Sequence, residues 1–157
     1  PLTSSLGRLL DAASALCGVR QKISYEGQAA IELEALADPA EKSGYPFPLS
    51  GDTLLLAPFW EALLKDILSG APIPLLAARI HNAVVAASVD ACEAVRASDG
   101  LQTVALSGGV WQNLYLLERT CTALEARGFS VLTHHQVPAN DGGISLGQAV
   151  IAGWGHH

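Results

Sequence analysis

The sequence predicts an α/β fold, mainly helical over about residues 1–100 and then strand, helix, strand, helix over 101–153. Apolar residues recur at helical spacing through the first hundred residues, as in the run from Leu6 to Cys17. The pattern then switches to two short apolar runs, "TVALSGG" and "FSVLTH", each followed by a helical stretch. Two glycine pairs, Gly108–Gly109 and Gly142–Gly143, fall at or beyond the ends of those runs, where a strand hands over to a helix. This alternation implies a right-handed crossover between parallel strands in a three-layer α/β domain, where ligands bind beyond the carboxyl ends of the strands.

Taken in order, "TSSLGRLLDAASALCG" places Leu6, Leu9, Leu10, Ala13, Leu16 and Cys17 on one helical face, with Thr3 to Ser5 as capping candidates and Gly18 as the stop. "QAAIELEALADP" is a second helix, ended by Asp38–Pro39. Proline and glycine then punctuate residues 40–58, which read as irregular chain around a short Leu54–Leu56 strand. "PFWEALLKDILSG" is a helix from Pro58 to Gly70, and the longest helical pattern runs from about Leu75 to Ala97. In the last third, "TVALSGG" reads as a buried strand and "WQNLYLLERTCTALEARG" as a helix stopped by Gly128. "FSVLTH" is the second strand and "GGISLGQAVIAG" the final helix. There is no internal repeat and no low-complexity segment.

Composition narrows the function. Half of the 157 residues are apolar, ample for a core and against disorder. A net charge of −6 argues against tracking a nucleic-acid backbone, which needs clustered Lys and Arg. Cys17, Cys92 and Cys121 lie far apart with no C-x-x-C spacing, so neither a zinc knot nor a disulfide framework is suggested and a reducing cytoplasm fits. No apolar run approaches the roughly 18–20 residues of a membrane span, and no signal-peptide pattern opens the chain. The sequence contains no methionine and begins at Pro1, so it reads as a piece of something longer. His156 and His157 are native or the stub of a tag and carry no functional weight.

The glycine turns hold the candidate chemistry. At Ser107–Gly108–Gly109 the missing Cβ atoms let backbone N–H groups approach a ligand, and the next helix N-terminus suits an anion. Asn113, in the first turn of that helix, has an amide suited to a ribose or base edge. Tight packing is an equally common reason for such glycines, and there is neither a P-loop nor a G-x-G-x-x-G. Asp141 is a metal or ligand carboxylate, or an N-cap, the commoner use. The histidines offer it no set: His81 lies in a helix, and His134 and His135 are adjacent and point to opposite sides. Asp11 sits inside an apolar helix, where it is bound, exposed or paired with Arg8, and Glu26 beside Gly27 favours the positive end of the second helix.

In order, "TSSLGRLLDA", "SYEGQAAIELEALA", "ARIHNAV", "ALSGGVWQN" and "NDGGISLGQA" resemble the C-terminal part of the HypF family, the carbamoyltransferases of [NiFe]-hydrogenase maturation. The likeness runs from about Thr3 to Ala152, and the combination of SGGV-x-QN, NDGGISLGQ and SYEGQAA is specific. That family shares its module with tRNA threonylcarbamoyltransferases and antibiotic O-carbamoyltransferases, all built on an actin-like ATPase fold of two RNase H-like halves. The resemblance implies that this chain is the C-terminal half of the carbamoyltransferase domain with its helical insertion.

The resemblance further implies a nucleotide site at Asp11, Glu26, Gly27, Gly108, Gly109 and Asn113, taking ATP and carbamoyl-adenylate. It makes Asp141 a ligand of a divalent metal ion (Fe, Zn or Mg), with partner histidines in the missing N-terminal half. The implied reaction moves a carbamoyl group, drawn from carbamoyl phosphate and ATP, from carbamoyl-adenylate to the C-terminal cysteine of the partner HypE. Neither nucleic acid nor membrane takes part, and the isolated chain is expected to be inactive. Trp111 and Leu10 stand where phenylalanine is more usual; Asp11–Ala12 and Glu26–Gly27–Gln28 replace the tRNA-modifying relatives' aspartate–lysine pair and P-G-G-P-like turn. Alternatives are a small-molecule O-carbamoyltransferase, a tRNA threonylcarbamoyltransferase relative, or a non-catalytic nucleotide-binding or docking module.

Overall fold

The structure, a computed structural model, describes residues 3–154. Helix α1 (Leu6–Leu16) starts as expected at Ser5, whose hydroxyl accepts from the Arg8 N–H, and is followed by Gly18 at φ +74°. Helix α2 (Gln28–Leu36) begins at Gly27, held at φ +82°. The loop before it is tied down by Arg20, which makes two bonds of 2.7 and 2.6 Å to Glu32, while Gln28 donates to Glu32 and accepts from the Ser24 N–H.

The next segment corrects the expectation of a strand at Leu54–Leu56. A tight hairpin pairs β1 (Leu49–Ser50) with β2 (Thr53–Leu54) around Gly51, whose φ of +63° suits the two-residue turn. Leu56 already belongs to helix α3 (Leu56–Leu68), so Pro58 is third in that helix, where no intrahelical N–H is needed. Helix α4 (Ile73–Asp99) extends two residues beyond the expected pattern at each end.

Helix α4 is the centre of the molecule. Leu76, Ala77, Ile80, Ala83 and Val84 join Leu10 and Ala13 of α1, Leu33 of α2, Phe59 and Leu63 of α3, and Leu116 in one core. Residues 39–47 lie across it: Asn82 donates to the Glu41 and Ser43 carbonyls, and a Cβ on Gly44 would fall 2.7 Å from the Ala83 nitrogen. By length and hydropathy α4 meets the requirement for crossing a bilayer, against the expectation that no run does. With 56% of its most apolar window buried inside the protein, it is the core helix of this fold.

Strand β3 (Thr103–Ala105) and strand β4 (Ser130–Leu132) pair in parallel, Val104 opposite Val131, joined through helix α5 (Leu114–Ala126). The parallel crossover is as predicted. A buried strand is not what is found: Val104 and Val131 pack on a second core of Val89, Leu106, Leu124 and Phe129, while Ala105 and Leu132 face outward. With only two strands in this sheet among the described residues, one face and both edges stay open, so the expected third layer is not built. Helix α6 (Ile144–Trp154) buries none of its residues, and Ile151 and Trp154 are 75% and 81% exposed.

Candidate functional site

The two glycine turns meet at the carboxyl ends of β3 and β4. The Gly108 N–H donates to the Ala139 carbonyl at 2.8 Å, and Gly109 stands against the Cβ of Asn140. Residues Gly109–Gln112 form a short 3-10 turn, so α5 begins at Leu114 and not at Trp111 as the periodicity suggests. Trp111 and Val110 of this turn pack into the main core with Leu6 and Leu9 of α1, setting the helix that carries Asp11 beside it.

The four glycines have different reasons to be glycine. Gly108 has φ +106°, a conformation side chains rarely adopt, with open space around it. At Gly142 and Gly143 an added Cβ would come within 2.9 Å of Pro138 atoms, so those two are bare for packing. Gly109 has neither reason: it is exposed, lies outside the left-handed region, and its Cβ would meet nothing nearer than 3.9 Å. Its N–H and that of Val110 donate to no protein acceptor among the described residues.

The α5 N-terminus, expected to offer its donors to an anion, is closed by the protein itself. The Leu116 N–H donates to Asn113 Oδ1 at 2.9 Å and the Tyr115 N–H to Glu34 Oε1 at 3.1 Å. Asn113 is thus the N-cap of α5, and its side chain is buried, with Nδ2 3.0 Å from His81 Nε2. Its amide points into the protein, which the first-turn reading did not foresee.

Asp141 shows the reverse. The cap expected of it is supplied by Asn140, whose Oδ1 accepts from the Gly142 N–H at 3.0 Å. Asp141 is exposed, and its carboxylate makes no hydrogen bond or ion pair among the described residues. Asp11 is half-buried and pairs with Arg8 at 3.4 Å. Glu26 and Gly27 stand at the other end of α2 from Glu34, with Gly27 about 10 Å from it along the axis.

For a metal ion the donor set is incomplete. No group of three or more His, Cys, Asp or Glu converges among the described residues. His134 reaches Ser107 Oγ at 2.9 Å and His135 reaches Thr133 Oγ1 at 3.0 Å, so the two bond to different partners. One exposed carboxylate does not make a site, so the residues of this chain alone do not fit the group. Cys17 offers no nucleophile, since burial pushes its thiol up to about 11.

Two concavities lie nearby. A cleft of about 190 Å³ behind the turns is lined by Leu106, Trp111, Thr133, His134 and Pro138. A larger groove of about 730 Å³ between α4 and α5, lined by Asn82, Asp90, Glu118, Arg119 and Arg127, is away from both glycine turns. Sequence reading missed the His81–Asn113 contact, the Ser107–His134 pair and the Glu34 bond. The one available signal was a histidine and an asparagine side by side in the apolar pattern of "ARIHNAV", since buried polar groups need partners.

A family described as "Carbamoyltransferase, Kae1-like Domain, second subdomain" matches residues 1–148. Carbamoyltransferase HypF of Synechocystis sp. is 40% identical over 151 residues, covering 94% of this chain and 19% of that protein. The HypF of Rhizobium leguminosarum bv. viciae is 39% identical over 153 residues, 97% of this chain and 20% of that protein. Among solved structures, full-length HypF in its phosphate- and nucleotide-bound form has a TM-score of 0.89 at 42% identity, over 95% of this chain and 20% of that one. HypF of T. kodakarensis has a TM-score of 0.82 at 32% identity, over 96% of this chain and 20% of that one. The chain spans about a fifth of the length of these relatives.

Proposed function

The chain belongs to the HypF carbamoyltransferases, as their Kae1-like second subdomain, and from that premise we propose that it supplies the nucleotide side of a carbamoyl-transfer site. The observation that carries this reading is the Gly109 turn. An exposed glycine needed by neither backbone nor packing, with two unused N–H donors, is a surface kept bare for an anionic ligand. A relative of high similarity has been solved with phosphate and nucleotide bound, which supports the same class of ligand.

In the proposed reaction a thiolate, the C-terminal cysteine of HypE, attacks the carbamoyl carbon of carbamoyl-adenylate. A carbon–sulfur bond forms, the bond to the adenylate oxygen breaks, and AMP leaves with the electron pair. In this reading the chain contributes position and charge stabilisation, with the Gly109 and Val110 N–H groups as donors to the phosphate oxygens as they gain charge. Asp11, Glu26 and Gly27 hold the nucleoside side, Gly108 shapes the turn, and Asn113 acts from behind it. Asp141, left free by the Asn140 cap, would hold one position of a divalent metal only with histidines from outside this chain.

We infer that part of the remaining length of the relatives, of which this chain spans about a fifth, supplies the first half of an actin-like ATPase fold whose second half is this chain. That first half covers α6 and the open face of β3 and β4, whose apolar side chains, Leu132, Val150 and Trp154 among them, are exposed here. The isolated chain is accordingly inactive in transfer. Calorimetric titration of ATP and a non-hydrolysable carbamoyl-adenylate analogue into the full-length protein tests the reading, with Gly109→Val as the variant. Affinity should fall at least tenfold with an unchanged melting temperature; equal affinity overturns it.

A further inference from the structure

A buried hydrogen bond between two side chains lies behind the candidate site. His81, on α4, is 0% exposed and Asn113 is 8% exposed. Burying two such side chains is unfavourable unless every polar atom is matched, and an apolar pair would fill the same space at less cost. The bonding is directional throughout. The Ala77 carbonyl, 2.7 Å from His81 Nδ1, can only accept, so Nδ1 carries the proton. In the neutral ring Nε2 is then an acceptor, and it accepts from Asn113 Nδ2 at 3.0 Å. That leaves Asn113 Oδ1 facing the Leu116 N–H at 2.9 Å.

Each link selects the next. An asparagine amide has two orientations of nearly equal shape, and only this one caps α5; the other would set two acceptors against each other at His81 Nε2 and two donors at the Leu116 N–H. From Asn113 the chain of bonds continues into the turn, because its own N–H donates to the Val110 carbonyl at 3.1 Å and Trp111 N–H to that of Gly108 at 3.1 Å. Asn82, the next residue, fixes the same end of α5 by accepting from the Tyr115 hydroxyl at 3.2 Å. The Tyr115 ring packs on that of His81 with centroids 5.2 Å apart.

We propose that His81 is a positioning residue: it orients the Asn113 amide and so sets the direction of the Gly109 and Val110 N–H donors, without touching the ligand. This rests on the nucleotide reading of that turn. His81→Gln keeps an acceptor near the Nε2 position, His81→Asn keeps only the donor toward Ala77, and His81→Leu keeps neither.

Two measurements test it. Proton–nitrogen correlation spectra of the imidazole in this chain should show the Nδ1–H tautomer with bare Nε2; an Nε2–H tautomer overturns the proposal. Nucleotide titration of full-length protein should show His81→Asn and His81→Leu weakened about tenfold and His81→Gln within about threefold of the parent. Equal binding by all variants, or no rescue by a folded His81→Gln, overturns it. If His81→Leu does not fold, His81→Asn against His81→Gln decides. Should the parent bind no nucleotide, the functional reading fails by itself, and hydrogen exchange at the Leu116 amide, faster in His81→Asn and restored in His81→Gln, still decides the positioning role.

Discussion

Asn113→Ala should destabilise the unliganded chain by about 2–4 kcal/mol, a magnitude built from two bonds. Loss of an N-cap costs about 0.5–2 kcal/mol, and the lost cap is the 2.9 Å bond to the Leu116 N–H. Removal of Nδ2 also strands His81 Nε2 in a fully buried position, which adds about 1–3 kcal/mol. For a chain of 157 residues each kcal/mol lowers Tm by about 2–4 °C, so the expected shift is roughly 5–15 °C. Thermal melting followed by circular dichroism measures it, with Asn113→Ser as the companion. Serine restores an acceptor for the Leu116 N–H but does not reach His81, so its Tm should fall between the other two. A side chain serving only a ligand would leave the melting of the free chain alone, and a Tm for Asn113→Ala within about 2 °C of the parent would refute the reasoning.

Other expectations follow from single contacts. Gly44→Ala drives a Cβ to 2.7 Å from the Ala83 nitrogen, a backbone atom that cannot step aside, and should cost about 1–3 kcal/mol in a denaturant titration. Asn140→Ala should lower stability by about 0.5–2 kcal/mol, whereas Asp141→Asn should leave Tm unchanged, because the cap belongs to the former and the latter has no bond to lose; the reverse pattern would restore Asp141 as a structural residue. Burial holds the His81 imidazole below its usual range, with the bond to Ala77 opposing and the Arg119 charge adding to the effect. The unfolded chain takes up that proton near its ordinary value of about 6.5 and the folded chain only at lower pH. Stability is therefore unaffected by this group above about pH 6.5 and is lost as pH falls from there toward the folded value. Melting in buffers from about pH 7.5 to 5 should show that loss, and His81→Gln should flatten it.

Much of the architecture was legible because its determinants are local. Ser5 and Gly18 bound α1, Gly128 ends α5, and a change in apolar period announces the parallel pair. Where long-range contacts decide, the sequence was silent. Leu54–Leu56 has strand composition, yet Leu54 ends β2 and Leu56 opens α3, so the segment is divided between them. "TVALSGG" reads as buried because its residues are apolar, but burial on both faces needs a layer that the described residues do not provide. At the site, glycine pairs mark the turns without saying which glycine is bare for backbone, for packing or for space. Asn140 and Asp141 are both good caps, and only the folded turn shows that the first takes the role and frees the second.

The most direct test of the central claim is a nitrogen–proton correlation titration of the labelled full-length protein with ATP, following the backbone amides of this segment. The largest shifts are expected at Gly109 and Val110, whose N–H groups have no acceptor among the described residues, with smaller ones at Asn140 and Asp141 in the adjoining turn. Shifts centred instead on Asn82, Glu118 and Arg119, in the larger groove between α4 and α5, or absent from the segment altogether, would contradict the assignment of the nucleotide to the glycine turn.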